Sequence, residues 1–590
     1  NDSYKYRVWA DKDGSFAPWD GPHGTTFTPH PTGKRDGTAL TFVPSQLVTL
    51  ANAPFSKNDP WLPPMSTEAR GNNAIAYADI AAPDGLGMGD VMLKPSMPGE
   101  FDYALDVSKD DPAKDQTTIQ AVTTNFFYIV NHLHDTYYDA GWDEASRNPQ
   151  KDNYGRGGVA ADPIKAESQD NGGRNNANAS TPADGSSPRI QMYLFDPNED
   201  AVKINSPADL ARVYQVGRAS FGPKNFDLTQ NLVVVNDGTG MSPTDGCETP
   251  FVNAMDVKDK IAVIDRGNCF YELKAYNAQV NGAKGVVIIN NVPGAPVGMA
   301  AGTTPPPMPV TIPAVQVSQE DGALITAKLK AGTAVQMTLR TLLNNNDSSL
   351  DGMIVSHEWG HVMSNRLIGN GSGLGNNQGR SMGEGWSDFV ALLMTTRPED
   401  ATAMINADWK GAFAAAAYAT GPSNNSAYDG IRRYPYSADL GKNPLMFRHI
   451  QNNVALPMMP APAFGQTGTS NSEVHNSGEV WTSALWECYV ALLKDTGRYT
   501  FAQASQAMRE YLVASLKLTP INPTMIEARD AVLLAALAKD PKDFELFARA
   551  FAKRGMGVGA VAPARGSADH AGVVESTSVG GQIVVESITL

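Results

Sequence analysis

Over residues 200–343 the chain alternates short apolar runs with helical ones: Asn231 to Val235, Lys260 to Ile264, a helix across Phe270 to Asn281, Gly285 to Ile289, a helix around Gly322 to Leu329 and a closing strand Ala334 to Leu339. Alternation of that kind builds a compact α/β module with its own core. The flanks read differently. Residues 1 to about 112 are rich in Gly, Pro, Asn and Asp around short alternating stretches such as Ala74 to Tyr77, which predicts strands and turns. Ile119, Val122, Phe126, Phe127, Ile129, Val130 and Leu133 recur at helical spacing and predict a long helix over 117–138. After residue 343, apolar helical faces cover 348–367, 381–396, 479–494, 503–516, 524–538 and 542–553. The chain therefore divides into a strand-rich part, 1–199, an inserted module, 200–343, a helical part, 344–558, and a tail, 559–590, without helical period that reads as a linker or the stump of a further domain. The fold class is α+β, with a cleft between a strand-rich and a helical lobe.

Composition narrows the function. Apolar residues make up 42% of the 590 and charged residues 18%, as in ordinary folded domains, and the length allows several of them. Lys+Arg 47 against Asp+Glu 62 leaves a net charge of −15, a field that repels phosphate backbones and anionic lipid, so neither nucleic acid nor a membrane is an expected partner. The longest apolar run found, Ala531 to Ala538, is far short of the roughly 20 residues of a spanning helix. An opening at Asn1, with no Met and no charged-then-apolar leader, predicts a processed, secreted protein. Cys247 and Cys269 fall in one segment and Cys488 stands alone, so one disulfide and one buried thiol are expected, as suits an oxidising compartment.

The chemistry centres on His357-Glu358-Trp359-Gly360-His361. Helical residues four apart share a face, so His357 and His361 can aim imidazole nitrogens at one ion while Glu358 leans over its open coordination position. Asn346 or Asp347 is the expected cap of this helix, and Met353, Ile354, Val362 and Met363 are its apolar stripe. Two metal-free histidines are the bland alternative. A catalytic zinc needs a third protein ligand and leaves a fourth place to water. The metzincin pattern would put a third His at position 367, which is Leu. Glu384, in Gly383-Glu384-Gly385-Trp386-Ser387-Asp388, can reach the ion from a facing helix, and Asp388, one turn later, is placed to accept the other ring N–H of a ligand His.

These residues resemble the fungalysin family of secreted zinc metallopeptidases, related to the thermolysin-like gluzincins. The resemblance extends to Asn125 to Tyr128 with His134-Asp135, Asn175 to Asn178, Ser187 to Tyr193, Gly430 to Arg432, Tyr434 to Ser437, and Val474-His475 with Gly478 to Trp481, covering roughly 1–200 and 344–560. The intervening module resembles the protease-associated domain through Asp265 to Phe270, Asn277 to Gln279, Gly282 to Val286 and Ile312 to Val315. The resemblance implies a thermolysin-like two-lobed fold and one catalytic zinc on His357, His361 and Glu384. It implies Glu358 as general base, His475 as donor to the oxyanion, Arg432 as holder of a substrate carbonyl, and Asn175, Asn176 and Ala177 as an edge strand that pairs with extended peptide. It further implies polypeptide substrates cut on the amino side of apolar residues, an extracellular location and inhibition by the chain's own propeptide before maturation. Calcium is common among such enzymes, but no stretch here has EF-hand spacing.

The pattern departs in two places. Gly383 stands where the thermolysin pattern has an Asn orienting the second His, and no Tyr lies between Gly371 and Gly383 to assist at the oxyanion, leaving Tyr428, Tyr434 and Tyr436 as alternatives. Asp106 to Asp115 read as solvated acid, and His132 and His134, beside Tyr137, Tyr138 and Trp142, as core contacts. An endopeptidase is the first reading. Beside it stand an aminopeptidase, for which Glu473 is the nearby acidic anchor, and a polypeptide-binding protein with a vestigial zinc site, against which the intact Glu358 argues. The module contains no His, so it is expected to be separable from the chemistry, with its loop Val292 to Pro309 near the cleft rim.

Overall fold

The computed structural model describes residues 3–580 apart from 13, 52–55, 197–199, 224–225, 239, 295, 342–344, 422–424 and 462–467. Two units emerge, Asn1–Asp196 with Asn344–Leu590, and Pro197–Leu343.

In the first unit, five strands form the sheet that leads to the site: β1 (Ala74–Ala78), β2 (Val91–Met92), β3 (Ile164–Ser168), β4 (Ala177–Ser180) and β5 (Arg189–Met192), in the order β2-β1-β3-β5-β4. Register puts Ala76, Ala166 and Ile190 side by side on one face and Tyr77, Glu167 and Gln191 on the other. The first face is buried in the large core with Phe126, Phe127, Ile129 and Leu133 of α1 (Gln116–Asp139). Asp115 is not free solvated acid: its carboxylate accepts from the N–H groups of Thr117 and Thr118 in a capping box that starts this helix. Leu194–Phe195 (β6) pairs antiparallel with Asn346–Asp347 (β7), so the chain leaves and re-enters this unit through adjacent strands.

Among the described residues, six helices of three or more turns follow: α2 (Gly352–Leu367), α3 (Asn377–Thr395), α4 (Val474–Lys494), α5 (Phe501–Leu518), α6 (Met525–Lys539) and α7 (Pro541–Lys553). The cap of α2 is Asp351, which accepts from Met353 and Ile354 N–H, rather than Asn346 or Asp347; Asp347 caps a separate 3₁₀ turn, Ser348–Leu350. Glycines let α2, α3 and α4 approach closely. A Cβ on Gly360 would stand 2.8 Å from Ser387 Cα, one on Gly385 2.6 Å from the Gly478 carbonyl oxygen, and one on Gly478 2.8 Å from Glu384 Cβ. Trp359 packs its far side on Tyr137 and Trp142, with ring centroids 5.0 Å away in each case. The segment from Gly559, read from the sequence as a linker or the stump of a further domain, is docked against this unit as far as Gly580. Val561 bridges Val574, Asn377 and Gln378 donate to the carbonyls of Ala568 and Pro563, and His570 is buried.

In the second unit, Phe226–Val234, Ile261–Asp265, Gly285–Ile289 and Ala314–Val317 run parallel in an eight-stranded sheet. Helices Tyr271–Val280 and Gln319–Lys330 belong to the same unit, which holds two apolar clusters of its own. Cys247 and Cys269 are disulfide-bonded, and Cys488, in the first unit, is a buried thiol. No helix among the described residues is long and apolar enough to cross a membrane.

Candidate metal centre

Helix α2 presents His357 and His361 one turn apart, and the close approach at Gly360 and Gly478 brings Glu384 of α3 against them. His357 Nε2 lies 3.1 Å from His361 Nε2 and 3.1 Å from Glu384 Oε2, and His361 Nε2 lies 3.5 Å from the same oxygen. Atoms held about 2.0–2.1 Å from one ion at tetrahedral angles would be about 3.3 Å apart. The other face of His357 is fixed, with Nδ1 2.6 Å from Asp388 Oδ1. A carboxylate only accepts, so Nδ1 carries the proton and the Nε2 lone pair points at the other two ligand atoms. A proton there could satisfy one contact, whereas a dication satisfies all three, and the donor set of two imidazoles and a carboxylate fits zinc.

The charge around this triangle favours a cation. Burial alone would depress the His357 imidazole, but Asp388, Glu384 and Glu358 outweigh it and draw positive charge to the ring, charge that a dication supplies in place of a second proton. Burial would raise the Glu384 and Asp388 carboxyls; His475 and His361 pull Glu384 well below the ordinary range, and Arg432, with His357, does the same for Asp388. Burial pushes Glu358 above its usual value, and its buried Oε2 accepts no hydrogen bond.

These residues open on a cleft of about 490 Å³ whose wall includes Asn175 to Ala179, Met353, Ile354, Ile431, Arg432, Glu473 and His475. A family model for the fungalysin metallopeptidases (M36) matches residues 35–560. The chain belongs to the fungalysins. It is similar to Extracellular metalloproteinase 1 of Arthroderma otae, 25% identical over 513 residues, 84% of this chain and 52% of that protein. It also resembles Extracellular metalloproteinase MEP of Fusarium vanettenii, 26% identical over 516 residues, with the same coverage. This chain thus spans about half the length of the curated relatives it matches. Among solved structures, BSAP, a zinc aminopeptidase from Bacillus subtilis, matches 29% of this chain and 35% of its own at 24% identity and a TM-score of 0.19, too slight a likeness to bear on fold or function.

Within this fungalysin, the side chains singled out from the sequence are brought together around the cleft, with some differences in partnership. His475, in the first turn of α4, holds Nδ1 2.7 Å from Glu473 Oε1 and Nε2 3.3 Å from Glu384 Oε2. Arg432 is 7% exposed and spends Nε and Nη2 on the two oxygens of Asp388, each at 2.7 Å. The edge strand begins at Ala177; Asn175 and Asn176 precede it, and Asn175 is tied to Asp196. Of the three tyrosine alternatives, Tyr436 donates to Asp388 Oδ2, Tyr434 to the Met458 carbonyl, and Tyr428 packs on His30. A Cβ on Gly383 would lie 3.9 Å from His361 Nδ1, so a longer side chain there would meet that ring. Sequence reasoning missed the joint grip of Arg432 and Tyr436 on Asp388, because no local spacing signals a contact across more than 40 residues. It also missed Glu473 as the partner of His475; a carboxylate two residues before a helix-start His was the available signal.

His132 and His134 are core groups. Burial drops the His132 pKa to about 3, and His134 contacts Asp135 at 2.9 Å and Gln150 at 3.0 Å.

Proposed function

We propose that this chain is a secreted zinc endopeptidase cutting extended polypeptides. One observation carries the reading: His357, His361 and Glu384 converge at 3.1–3.5 Å beside a Glu358 carboxylate whose Oε2 accepts no hydrogen bond, in a cleft walled by an edge strand. Zinc, when bound by those three residues, supplies Lewis acidity toward the scissile carbonyl and the attacking water. Glu358, with Oε2 uncommitted, takes the water's proton and delivers it to the leaving amine. Glu473 orients His475 through Nδ1, leaving Nε2 to donate to the oxyanion of the tetrahedral species. Strand β4, at the edge of its sheet, offers main-chain hydrogen bonds to an extended substrate, with Asn175, Asn176 and Ala177 at its start. Arg432 keeps Nη1 for a substrate carbonyl while its other nitrogens steady Asp388.

Met353, Ile354 and Ile431 in the cleft wall support a preference for apolar side chains. Glu473 supports internal cleavage over N-terminal trimming, because its carboxylate is committed to the His475 ring and to the N–H groups of His475 and Asn476 rather than free to hold a substrate α-amine. The 197–343 unit is proposed to be a protease-associated domain that affects access by protein substrates, the chain's own propeptide to be an inhibitor before maturation, and the protein to act outside the cell, as the relatives' names support. Mass-spectrometric mapping on an unstructured protein tests this: internal cuts are expected, stepwise loss from the N-terminus would make the chain an aminopeptidase, and no cuts with zinc bound would leave a binding protein.

A further inference from the structure

Tyr77, Glu167 and Gln191 stand in register on the sheet face turned away from the large core. Around them gather the carboxylates of Asp79, at the end of β1, Asp84, in the loop that follows, Glu167 on β3 and Asp170 just beyond it. One ligand oxygen from each lies within 4.8 Å of all the others. Asp79 and Glu167 are wholly buried and Asp170 nearly so, while Asp84 is exposed.

We infer that this cluster is a second metal site, built for a hard divalent cation of the calcium class. The donors are all oxygen, which excludes the soft and imidazole-seeking metals. Calcium takes six to eight such oxygens in a flexible geometry, whereas magnesium demands a near-ideal octahedron and keeps several waters, so a site offering four protein carboxylates suits calcium.

Neutral partners hold the cluster together without balancing its charge. Asp79 accepts from Gly85 N–H at 2.6 Å, Asp170 from Gly172 N–H at 2.6 Å, and Gln191 bridges Asp84 and Asp170. Among the described residues, Arg189 is the cation paired with the four carboxylates: its Nη1 reaches Asp84 at 2.6 Å, and its Nε stands 3.6 Å from Glu167 Oε2, beyond hydrogen-bond reach. The independent sign of a missing partner is Glu167 itself. Tyr77 donates to its Oε1, but its fully buried Oε2 accepts no hydrogen bond. A cation here would clamp the loop after β1 to β3, which lies next to β5 and the edge strand β4.

The test uses the full zinc-loaded chain carrying Glu358→Gln, which suppresses self-cleavage. Equilibrium dialysis against radioactive calcium should show that Asp79→Asn with Glu167→Gln lowers the bound calcium by one ion per chain and leaves zinc content unchanged. Equal calcium binding with and without these substitutions, or no calcium bound by the parent, would overturn the site. If the double variant does not fold, terbium replaces calcium: emission sensitised through the adjacent Tyr77 should fall several-fold in Tyr77→Phe. Undiminished emission would equally overturn it.

Discussion

The metal centre and the acidic cluster are both groups of ligating side chains, mostly buried, and they are assembled in opposite ways. His357, Glu358, His361 and Glu384 come from two helices within residues 357–384, where the helical period converts sequence spacing directly into spatial position. Asp79, Asp84, Glu167 and Asp170 come from two strand ends and two loops across residues 79–170, and only the sheet register brings them together. The first group also has an imidazole oriented by Asp388, Arg432 and Tyr436, and beside the cleft a Glu358 carboxylate, the proposed base, whose Oε2 accepts no hydrogen bond. The second has neither base nor orienting chain. A mechanism is expected at the first and a structural ion at the second.

Substitutions that separate catalysis from architecture sharpen this contrast. Glu358→Gln should show the largest effect, cutting kcat by about a thousandfold or more while the protein keeps its zinc and melting temperature, since it removes a base and no ligand. Loss of the metal instead would mean that Glu358 holds the ion. His475→Ala should lower kcat by about a hundredfold with little change in KM, because the oxyanion it serves exists only in the transition state; a KM effect alone would reassign it to substrate binding. Gly478→Ala should destabilise the fold by about 1–3 kcal/mol and weaken zinc retention, since its Cβ would press on Glu384 Cβ at 2.8 Å. An unchanged melting curve would show that the helices can part there at no cost.

The smallest effect is expected from replacing 200–343 by a short Gly/Ser linker. The chain ends to be joined run on from paired strands, Phe195 opposite Asn346, and every proposed catalytic residue belongs to the other unit. Hydrolysis of a short peptide should stay within a few-fold, while the rate or pattern on whole proteins changes. A variant that folds and binds zinc yet cannot cut the peptide would show that the module shapes the cleft.

Much of this was legible in the sequence where one period governs. The apolar rows of α1, α5, α6 and α7 predict ends within two residues of those found. The apolar pattern begins late for α3 and α4, at 381 and 479, because their first turns, Asn377 to Arg380 and Val474 to Gly478, are mostly polar or small. Side-chain caps at Asn376 and Glu473 start them instead. Asp388 follows from its one-turn offset from Glu384, but the cation holding it depends on how residues 430–436 fold back, which no local pattern encodes. The docking of residues 559–580 was illegible for a similar reason: the contacts are scattered carbonyls and a single buried His570, without an apolar row.

The central claim is that His357, His361 and Glu384 hold one catalytic zinc, and metal analysis of two purified variants tests it most directly. Glu358→Gln should carry about one zinc per chain and Glu384→Ala almost none, because the first removes a base and the second one of three ligands. Zinc retained undiminished in Glu384→Ala would contradict the assignment and place the third ligand elsewhere in the cleft.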